Sequence, residues 1–207
     1  MNSSSTLLDA DHITSTLAQQ GWCVTPDFVN TTTWHVLAAE ANQRWAQQEF
    51  HAAHIGIGHS RKADTAIRGD SIAWIEHDAP SAAQAAYITQ LEHLRLAVNQ
   101  ELFLGAFDLE LHFARYPIGA RYSKHLDRHA HTQARVLSCI LYLNQDWQNK
   151  DGGQLRIYTA ADDAQRYTDI MPRGGTLVTF LSGDFHHEVL PAHRPRLSIT
   201  GWMRARC

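Results

Sequence analysis

Two histidine-rich segments in the second half of the chain, residues 125–131 and 186–193, hold the side chains with the clearest potential for chemistry. His125 and Asp127 are two residues apart, so on a β-strand they project from the same face and can bind one metal ion. A His-x-Asp pair with one distant histidine is the ligand set of two-histidine, one-carboxylate iron(II) sites. Because the chain has 14 histidines, such a pair also arises by chance. A surface histidine beside a solvated aspartate is therefore the alternative interpretation.

The C-terminal segment 196–203 favours a binding site over that alternative. Its alternation has period two, so a strand here would present Arg196, Ser198, Thr200 and Trp202 on one face. The opposite face would carry Leu197, Ile199 and Met203. A guanidinium that faces a barrel interior needs an anionic partner, because an unpaired buried charge is costly. A dicarboxylate cosubstrate would supply that partner, since arginine holds carboxylates in a bidentate geometry; an internal aspartate or glutamate is the alternative.

The elements that must position these side chains follow from a change of hydrophobic period along the chain. From residue 110 onward the period is two, and the candidate strands are residues 109–116, 135–143, 154–158, 175–180 and 196–203. Helices followed by many short strands predict a mainly β fold with supporting helices and a double-stranded β-helix (jelly-roll) core. We expect a single domain over residues 1–207, with helical support at about 9–103 and the jelly-roll core at about 105–203.

The pattern of the first half predicts three helices. The first begins with Asp9 as its capping residue and ends at Gly21, where a short strand follows. The second begins at Asn30 or Thr31, and the third covers about residues 81–103. Between them, the glycines and mixed charges of residues 55–76 indicate a strand followed by a mobile loop, which is a natural place for substrate contact.

Composition and charge exclude several classes of protein. The chain has 207 residues, of which 44% are hydrophobic and 19% charged, which excludes a disordered or collagen-like chain. The net charge of −3 argues against a protein built mainly to hold nucleic acid. Three widely spaced cysteines argue against a disulfide framework and a structural zinc finger. Without a secretory signal or a long apolar run, we expect a soluble, cytoplasmic protein with no direct contact with nucleic acid or membrane.

Other conspicuous aromatic residues have structural interpretations. Trp34, Trp45 and Trp74 are expected to pack in the core or against the helices. His129, His131 and His193 are expected to be solvated residues in turns.

Taken in order, the motifs of the second half resemble the 2-oxoglutarate and iron(II)-dependent oxygenases of the prolyl 4-hydroxylase group. The resemblance rests on His125-Leu126-Asp127, on His187-Glu188-Val189, and on Arg196 nine residues after His187. Residues 67–76 (IRGDSIAWIE), 140–147 (ILYLNQDW) and 152–157 (GGQLRI) are similar to one branch of that group. This branch contains the oxygen-sensing, hypoxia-inducible-factor type prolyl hydroxylases and their bacterial relatives. The resemblance covers about residues 21–202, most of the chain.

The resemblance implies a role for individual residues. Iron would be bound by His125, Asp127 and His187, where His187 is chosen over His186 because it carries the His-Glu-Val signature. The far (C5) carboxylate of 2-oxoglutarate would pair with Arg196, with the Tyr142 hydroxyl assisting. Other positions of the cosubstrate pocket match Tyr116, Tyr122 and Trp202, and positions near the peptide substrate match Arg68, Asp70 and Arg135. The alternatives are ordinary aromatic packing for the tyrosines and a salt bridge that orders the loop for the charged residues.

The activity that the resemblance implies is 4-hydroxylation of a prolyl residue in an exposed loop of another protein. The reaction would be coupled to decarboxylation of 2-oxoglutarate to succinate and CO2, with Fe(II) as the metal and O2 as the second cosubstrate. Ascorbate is a further ligand that the family implies, and the bacterial relatives point to elongation factor Tu as the partner. Hydroxylation of a free amino acid or other small molecule, a non-catalytic metal-binding interaction domain and a zinc hydrolase are the alternatives.

Overall fold

The computed structural model describes residues 3–54, 64–76, 78–128, 134–160 and 165–206, with the backbone alone for residues 3–9. The helices in this part of the chain are α1 (Ser3–Gln20), α2 (Thr31–Ala46) and α3 (Ala82–Leu102). The strands are β1 (Trp22–Thr25), β2 (His51–Ala52), β3 (Ser71–Trp74), β4 (Ala106–Tyr116), β5 (Tyr122–His125), β6 (Arg135–Tyr142), β7 (Leu155–Tyr158), β8 (Tyr167–Ile170), β9 (Leu177–Leu181), β10 (His187–Val189) and β11 (Arg196–Ala205).

The strands form two antiparallel sheets. The large sheet has seven strands in the order β1-β9-β6-β11-β4-β3-β2, and the small sheet has four in the order β5-β10-β7-β8. All neighbouring pairs run antiparallel, and β4 pairs with β11 from Tyr116 opposite Arg196 to Ala106 opposite Ala205. This arrangement confirms the mainly β fold with supporting helices and the jelly-roll core predicted from the sequence.

The two faces of the large sheet bury different sets of side chains. On one face, Leu111, Ile199 and Met203 belong to a core shared with residues of all three helices, such as Leu37 and Leu91. The other face carries a second core that includes side chains of the small sheet; its members include Ile72, Ala114, Ile140, Tyr142, Leu155, Ile157 and Val178. The period-two alternation of β4 and β11 creates both faces, because successive side chains of a strand point in opposite directions.

The helix boundaries agree with the sequence except at the N-terminus. Asn30 caps α2 by accepting a hydrogen bond from the Thr33 amide at 2.8 Å, and Ser81 caps α3 in the same way. Helix α1 ends at Gln20 as predicted but begins at Ser3, so the prediction of a cap at Asp9 is wrong. Serines and threonines upstream of Asp9 are equally good capping residues, and the sequence therefore does not fix which of them begins the helix. No helix of the described part is long and apolar enough to cross a membrane.

The sequence missed the shortest strands. Strands β2, β5, β8 and β10 have two to four residues each and show no extended alternation of buried and exposed positions. Part of the stretch 55–76 does contain a strand, but β3 follows the loop of residues 64–70 instead of preceding it. The remainder of the predicted strand and loop, residues 55–63, lies outside the described residues.

Candidate active site

A cavity of about 360 Å³ lies between the two sheets. Its walls come from β3, β4, β6 and β11 of the large sheet and from β5, β7 and β10 of the small one. Ten of the eleven site residues predicted from the sequence line this cavity, and they are Arg68, Asp70, Tyr116, Tyr122, His125, Asp127, Arg135, His187, Arg196 and Trp202. The eleventh, Tyr142, lies beside Arg196, whose Cζ is 5.0 Å from the centre of the Tyr142 ring.

Three of these side chains form a group that could hold a metal ion. Potential ligand atoms of His125, Asp127 and His187 all lie within 4.8 Å of one another. Nε2 of His125 is 3.6 Å from Oδ1 of Asp127, and Nε2 of His187 is 3.6 Å from Oδ2. The two histidines are brought together by pairing of β5 with β10, in which His125 lies directly opposite His187. Asp127 follows β5 two residues after His125, as the His-x-Asp spacing predicts.

Backbone contacts give both histidines the orientation that a metal ligand needs. Nδ1 of His125 lies 2.8 Å from the Ser123 carbonyl oxygen, and Nδ1 of His187 lies 3.1 Å from the Phe185 carbonyl oxygen. Since a carbonyl only accepts, each Nδ1 carries the proton and each Nε2 offers a lone pair towards Asp127. Burial lowers the pKa of His187 to about 4, so its imidazole is neutral at physiological pH and free to bind a metal.

The carboxylate of Asp127 is held in place by a buried pair of serines. The hydroxyl of Ser138 donates to Oδ2 of Asp127 at 2.6 Å and also lies 2.9 Å from the hydroxyl of Ser182. Burial by itself would raise the pKa of Asp127, but His187, His125 and the Ser138 hydroxyl together lower it well below its usual value. The Asp127 carboxyl group is therefore anionic, and two imidazole nitrogens with one carboxylate oxygen fit the ligand set of an Fe(II) site.

Arg196 brings a buried positive charge into the same cavity. The residue is 1% exposed, and Nε donates to the Gly153 carbonyl oxygen at 2.9 Å. Nη2 has no hydrogen-bond partner in the described part of the chain. Gly153 is required here, because its φ is +68° and a Cβ at this position would lie 3.3 Å from Cδ of Arg196 and 2.9 Å from the Ala192 side chain. The start of β11 is fixed by Asn144, whose side chain bonds both the amide and the carbonyl of Leu197.

Aromatic side chains surround the Arg196 guanidinium. Its Cζ lies 5.2 Å from the centre of the Tyr116 ring and 5.0 Å from that of Tyr142. The Tyr142 hydroxyl is fully buried without a hydrogen-bond partner among the described residues. Burial raises the pKa of Tyr142 to about 12, with Arg196 acting in the opposite direction, so the hydroxyl is a neutral donor. Two unpaired donors side by side in a closed pocket are suited to a carboxylate ligand.

The predicted substrate loop carries a salt bridge that faces the cavity. Arg68 donates from Nε and Nη2 to the two carboxylate oxygens of Asp70, at 2.8 and 3.0 Å. The Arg68 guanidinium also lies 4.8 Å from the centre of the Tyr122 ring, and that ring stacks on His125 with centroids 3.5 Å apart. Backbone hydrogen bonds from the Gly69 amide to Arg121 and from the Ser123 amide to Ile67 hold this segment against β5. The loop is thereby connected to a candidate metal ligand.

Arg135 does not join that salt bridge, contrary to the alternative left open by the sequence. It bonds Glu110 at 3.3 Å, and its Cζ lies 3.4 Å from the centre of the Trp202 ring. Glu110 also accepts a hydrogen bond from Arg204 at 3.0 Å. Arg135 lies on the cavity wall through pairing of β6 with β11, in which Arg135 is opposite Arg204.

Sequence reasoning missed three residues of the site. Ser138 belongs to no sequence motif, although it is the fourth residue of β6 and its side chain points towards Asp127. His112 lines the cavity from β4, but its sequence context, Leu-His-Phe, is that of any buried strand. Trp74 was expected to pack in the core or against the helices, but it is 39% exposed and lines the edge of the cavity. Trp45 is likewise 37% exposed, whereas Trp34 is buried as predicted.

The remaining histidines of the two clusters lie outside the group of potential ligands. His186 precedes β10 and is half-buried, while His193 is exposed, in agreement with its prediction as a solvated turn residue. His129 and His131 lie outside the described residues.

Comparison with known proteins supplies independent information about this site. A family model described as the 2OG-Fe(II) oxygenase superfamily matches residues 111–204, which include the three potential metal ligands and Arg196. Human Egl nine homolog 1 is 30% identical over 205 residues, which cover 94% of this chain and 46% of the relative. The hypoxia-inducible factor prolyl hydroxylase of Caenorhabditis elegans is 29% identical over 210 residues. That match covers 93% of this chain and 28% of the relative. The chain thus spans half or less of the length of these two relatives.

Two solved structures are similar over nearly the whole chain. A Pseudomonas putida prolyl-4-hydroxylase is 43% identical with a TM-score of 0.86, and the match covers 96% of this chain and all of that one. A Trichoplax adhaerens prolyl hydroxylase, in complex with a peptide fragment of hypoxia inducible factor, has a TM-score of 0.87 at 24% identity. That match covers 97% of this chain and 91% of the other, and at this identity it shows the likeness of fold.

Proposed function

The chain belongs to the prolyl hydroxylases of the 2OG-Fe(II) oxygenase superfamily, and from this premise we propose that it 4-hydroxylates a prolyl residue of a protein substrate. One oxygen atom of O2 would enter the prolyl ring as a hydroxyl group. The other would enter succinate as 2-oxoglutarate loses CO2. The observation that supports this proposal most is the presence, in one cavity, of the His125, Asp127 and His187 group and the free guanidinium edge of Arg196.

In this proposal His125, Asp127 and His187 hold the Fe(II) ion, which would supply the activation of O2 that protein side chains cannot provide. The protein contributes two imidazoles and one anionic carboxylate, all oriented by hydrogen bonds before the metal binds. Phe180 lies against His187, with ring centroids 4.6 Å apart, and would help to exclude water from that side of a bound metal ion. Three protein ligands leave positions open for a cosubstrate and for oxygen.

We assign the C5 carboxylate of 2-oxoglutarate to Arg196 and Tyr142. Nη2 of Arg196 and the Tyr142 hydroxyl are buried donors without partners among the described residues, which a carboxylate would satisfy. Tyr116, Tyr122 and Trp202 would line the same pocket, and Tyr122 would also keep the His125 ring in place through stacking. The pairing of this charge inside a closed pocket favours an anionic dicarboxylate over neutral ligands of similar size.

We assign Arg68, Asp70 and Arg135 to the side of the cavity where the protein substrate enters. Partial exposure of the two arginines supports this assignment, because the side chains of Arg68 and Arg135 are 14% and 20% exposed, whereas Arg196 is buried. As the protein substrate we propose elongation factor Tu, which the resemblance to bacterial members of the family suggests. A cytoplasmic location would agree with that partner and with the two buried free cysteines, Cys23 and Cys139.

The test is incubation of the purified chain with Fe(II), 2-oxoglutarate labelled at C1, and elongation factor Tu. We expect release of labelled CO2 that depends on the protein substrate, together with a tryptic peptide that is heavier by one oxygen atom at a proline. If a free amino acid stimulates CO2 release and the protein does not, the chain hydroxylates small molecules. If neither does so across a panel of proline-containing proteins, the hydroxylase proposal is wrong.

A matched pair of variants tests the metal ligands. His187→Ala should abolish binding of Mn(II) or Fe(II), while His186→Ala should leave the dissociation constant within about a factor of three, because of these two neighbours it is His187 whose Nε2 lies 3.6 Å from Asp127. Loss of metal binding in His186→Ala alone would transfer the ligand role to His186. Isothermal titration with Mn(II) in the absence of oxygen measures both constants without relying on turnover.

A further inference from the structure

His112 is a buried histidine that forms no hydrogen bond with the described residues. It is 1% exposed, and neither Nδ1 nor Nε2 has a partner in the part of the chain that the structure describes. A buried polar group that stays unpaired costs free energy, so its presence in a cavity wall calls for a ligand, a water molecule or a catalytic role. The residue has no part in the metal site or in the pairing of Arg196.

The position of His112 distinguishes it from other unpaired groups. The hydroxyls of Tyr87 and Thr179 also lack partners, but neither residue lines the cavity. His112 does line the cavity, and in this respect it resembles Arg196, whose unpaired Nη2 we assign to a carboxylate. An unpaired polar group at the cavity wall therefore marks a second place where a ligand can bind.

Two tryptophans frame His112 on the wall. In the large sheet His112 of β4 lies opposite Trp74 of β3, and the two rings meet edge to face with centroids 5.0 Å apart. On its other side the Trp202 ring lies 5.4 Å away, and Nε1 of Trp202 is also buried without a partner. Trp74 is 39% exposed and lines the same cavity, so this group extends from the protein surface into the cavity wall.

The charges around this group are already paired. Arg68 donates hydrogen bonds to both carboxylate oxygens of Asp70, and Arg135 donates one to Glu110. His112 itself is neutral, because burial first and Arg68 second lower its pKa to about 3. Among the described residues, this end of the cavity thus offers an unpaired neutral donor and acceptor but no unpaired charge.

We propose that His112 and the indole N–H of Trp202, whose ring would also border the cosubstrate pocket, form a hydrogen-bonding subsite for a peptide amide next to the prolyl ring of the substrate. This inference deepens the proposed function and rests on it. A neutral imidazole can accept from an amide N–H through one nitrogen and donate to an amide carbonyl through the other. The carboxylate and ammonium of a free amino acid would instead need charged partners, so this subsite selects prolyl groups that are part of a peptide.

The test uses two variants that match each other in length, His112→Met and His112→Gln. Methionine removes both hydrogen-bonding groups and fills irregular space, whereas glutamine keeps a donor and an acceptor. With elongation factor Tu as the probe, His112→Met should raise the KM for the protein about 3- to 10-fold, the equivalent of one neutral hydrogen bond. His112→Gln should recover most of that loss. The KM for 2-oxoglutarate and the dissociation constant of Mn(II) should stay within about twofold in both variants.

Thermal unfolding of the substrate-free protein supplies a second measurement. Because His112→Met removes unpaired polar groups, its Tm should be equal to or higher than that of the wild-type protein, while that of His112→Gln should not rise. A lower Tm for His112→Met together with an unchanged KM would show that His112 binds a structural water molecule, and the inference would be wrong. A higher KM for 2-oxoglutarate with an unchanged KM for the protein would assign His112 to the cosubstrate and would also overturn it. If methionine does not fit between the two indoles, His112→Phe replaces it in both measurements.

The selectivity for peptides is tested with two small probes. N-acetyl-L-proline methylamide carries neutral amides on both sides of the ring, and L-proline carries charges there. The wild-type protein should bind the blocked compound more tightly than L-proline when Mn(II) and 2-oxoglutarate are present, and His112→Met should reduce that preference about 3- to 10-fold. Equal preference in the variant and the wild-type protein would contradict the inference. Failure of the proposed function differs from this outcome, because the wild-type protein itself would then show no turnover with any prolyl probe.

Discussion

The deep end and the entrance of the cavity carry arginines in opposite electrostatic states. At the deep end Arg196 is 1% exposed, bonds one backbone carbonyl and keeps Nη2 unpaired among the described residues. At the entrance Arg68 is fully engaged by Asp70, and Arg135 is bonded to Glu110. Both kinds of arginine line the same cavity and come from elements of the same fold.

The difference separates residues that await a ligand from residues that shape the site. An unpaired buried charge is tolerated only where a bound anion completes it, because its desolvation is otherwise uncompensated. A paired charge at the entrance is complete without any ligand and orders the loop instead. This view assigns cosubstrate affinity to the deep end and the conformation of the substrate loop to the entrance, and each assignment can be broken by mutation.

The largest expected effect is on cosubstrate binding at the deep end. Arg196→Met should weaken the binding of 2-oxoglutarate by about 2 to 5 kcal/mol, because the substitution leaves the buried carboxylate of the ligand without its partner. Isothermal titration in the presence of Mn(II) measures the constant. Arg194→Met is a suitable control, since Arg194 lies two residues away, is partly exposed, and contacts Asp151 at 3.5 Å and the Trp147 ring. A similar loss in both variants would show that general charge, and not the buried guanidinium, holds the cosubstrate.

The next effect is on stability at the entrance. Arg68→Met should lower the free energy of unfolding by about 2 to 3 kcal/mol, because Asp70 is 3% exposed and would lose its partner. Adding Asp70→Asn should restore part of this loss, and the double-mutant cycle gives the coupling energy. Urea denaturation provides the free energies, while the KM for 2-oxoglutarate should change less than threefold. If Arg68→Met weakened the binding of 2-oxoglutarate as strongly as Arg196→Met does, the distinction between the two ends of the cavity would fail.

A smaller effect is expected between the two ends, at the candidate metal ligands. Ser138→Ala should weaken Mn(II) binding about tenfold, because the Asp127 carboxylate loses the hydrogen bond that orients it. Ser182→Ala is the matched control, since it removes the other partner of Ser138 and leaves the bond to Asp127 in place. Titration of Co(II) monitored by its visible absorption reports both affinity and ligand geometry. Equal affinities in the two variants would mean that the carboxylate is held by the histidines and the backbone alone.

The sequence was informative wherever a pattern extended over many residues or matched a motif. The alternation of β11 predicted that Arg196, Ser198, Thr200 and Trp202 share one face, and all of them except Ser198 line the cavity. The His-x-Asp spacing and the resemblance together led to three residues whose ligand atoms lie within 4.8 Å. A role as ligands or cosubstrate contacts remains a prediction for each of them.

What the sequence did not reveal depends on contacts between distant segments. Ser138 lies on β6 of the large sheet and bonds Asp127, which follows β5 of the small sheet. No local sequence pattern encodes this contact between the two sheets. Trp74 was expected to pack in the core or against the helices because tryptophan is large and apolar, yet it is 39% exposed at the edge of the cavity. His112 stood in a run of buried residues, where a histidine without partners has no signature in the sequence alone.

The smallest effect separates the two unpaired groups of the cavity, Arg196 and His112, by their response to acid. His112 is neutral in the folded protein, because burial lowers its pKa from about 6.5 to about 3. The unfolded chain therefore binds one more proton than the folded protein as the pH falls below about 6.5, so this group lowers stability towards acid. His112→Met should reduce the loss of unfolding free energy between pH 7 and pH 5.5 by about 1 kcal/mol, measured by urea denaturation of the metal-free protein. Arg196→Met should leave that loss unchanged.

Parallel pH profiles for wild-type protein and His112→Met would mean that water or a buried partner lets the imidazole protonate in the folded state. The contrast between a charged and a neutral unpaired group would then no longer hold.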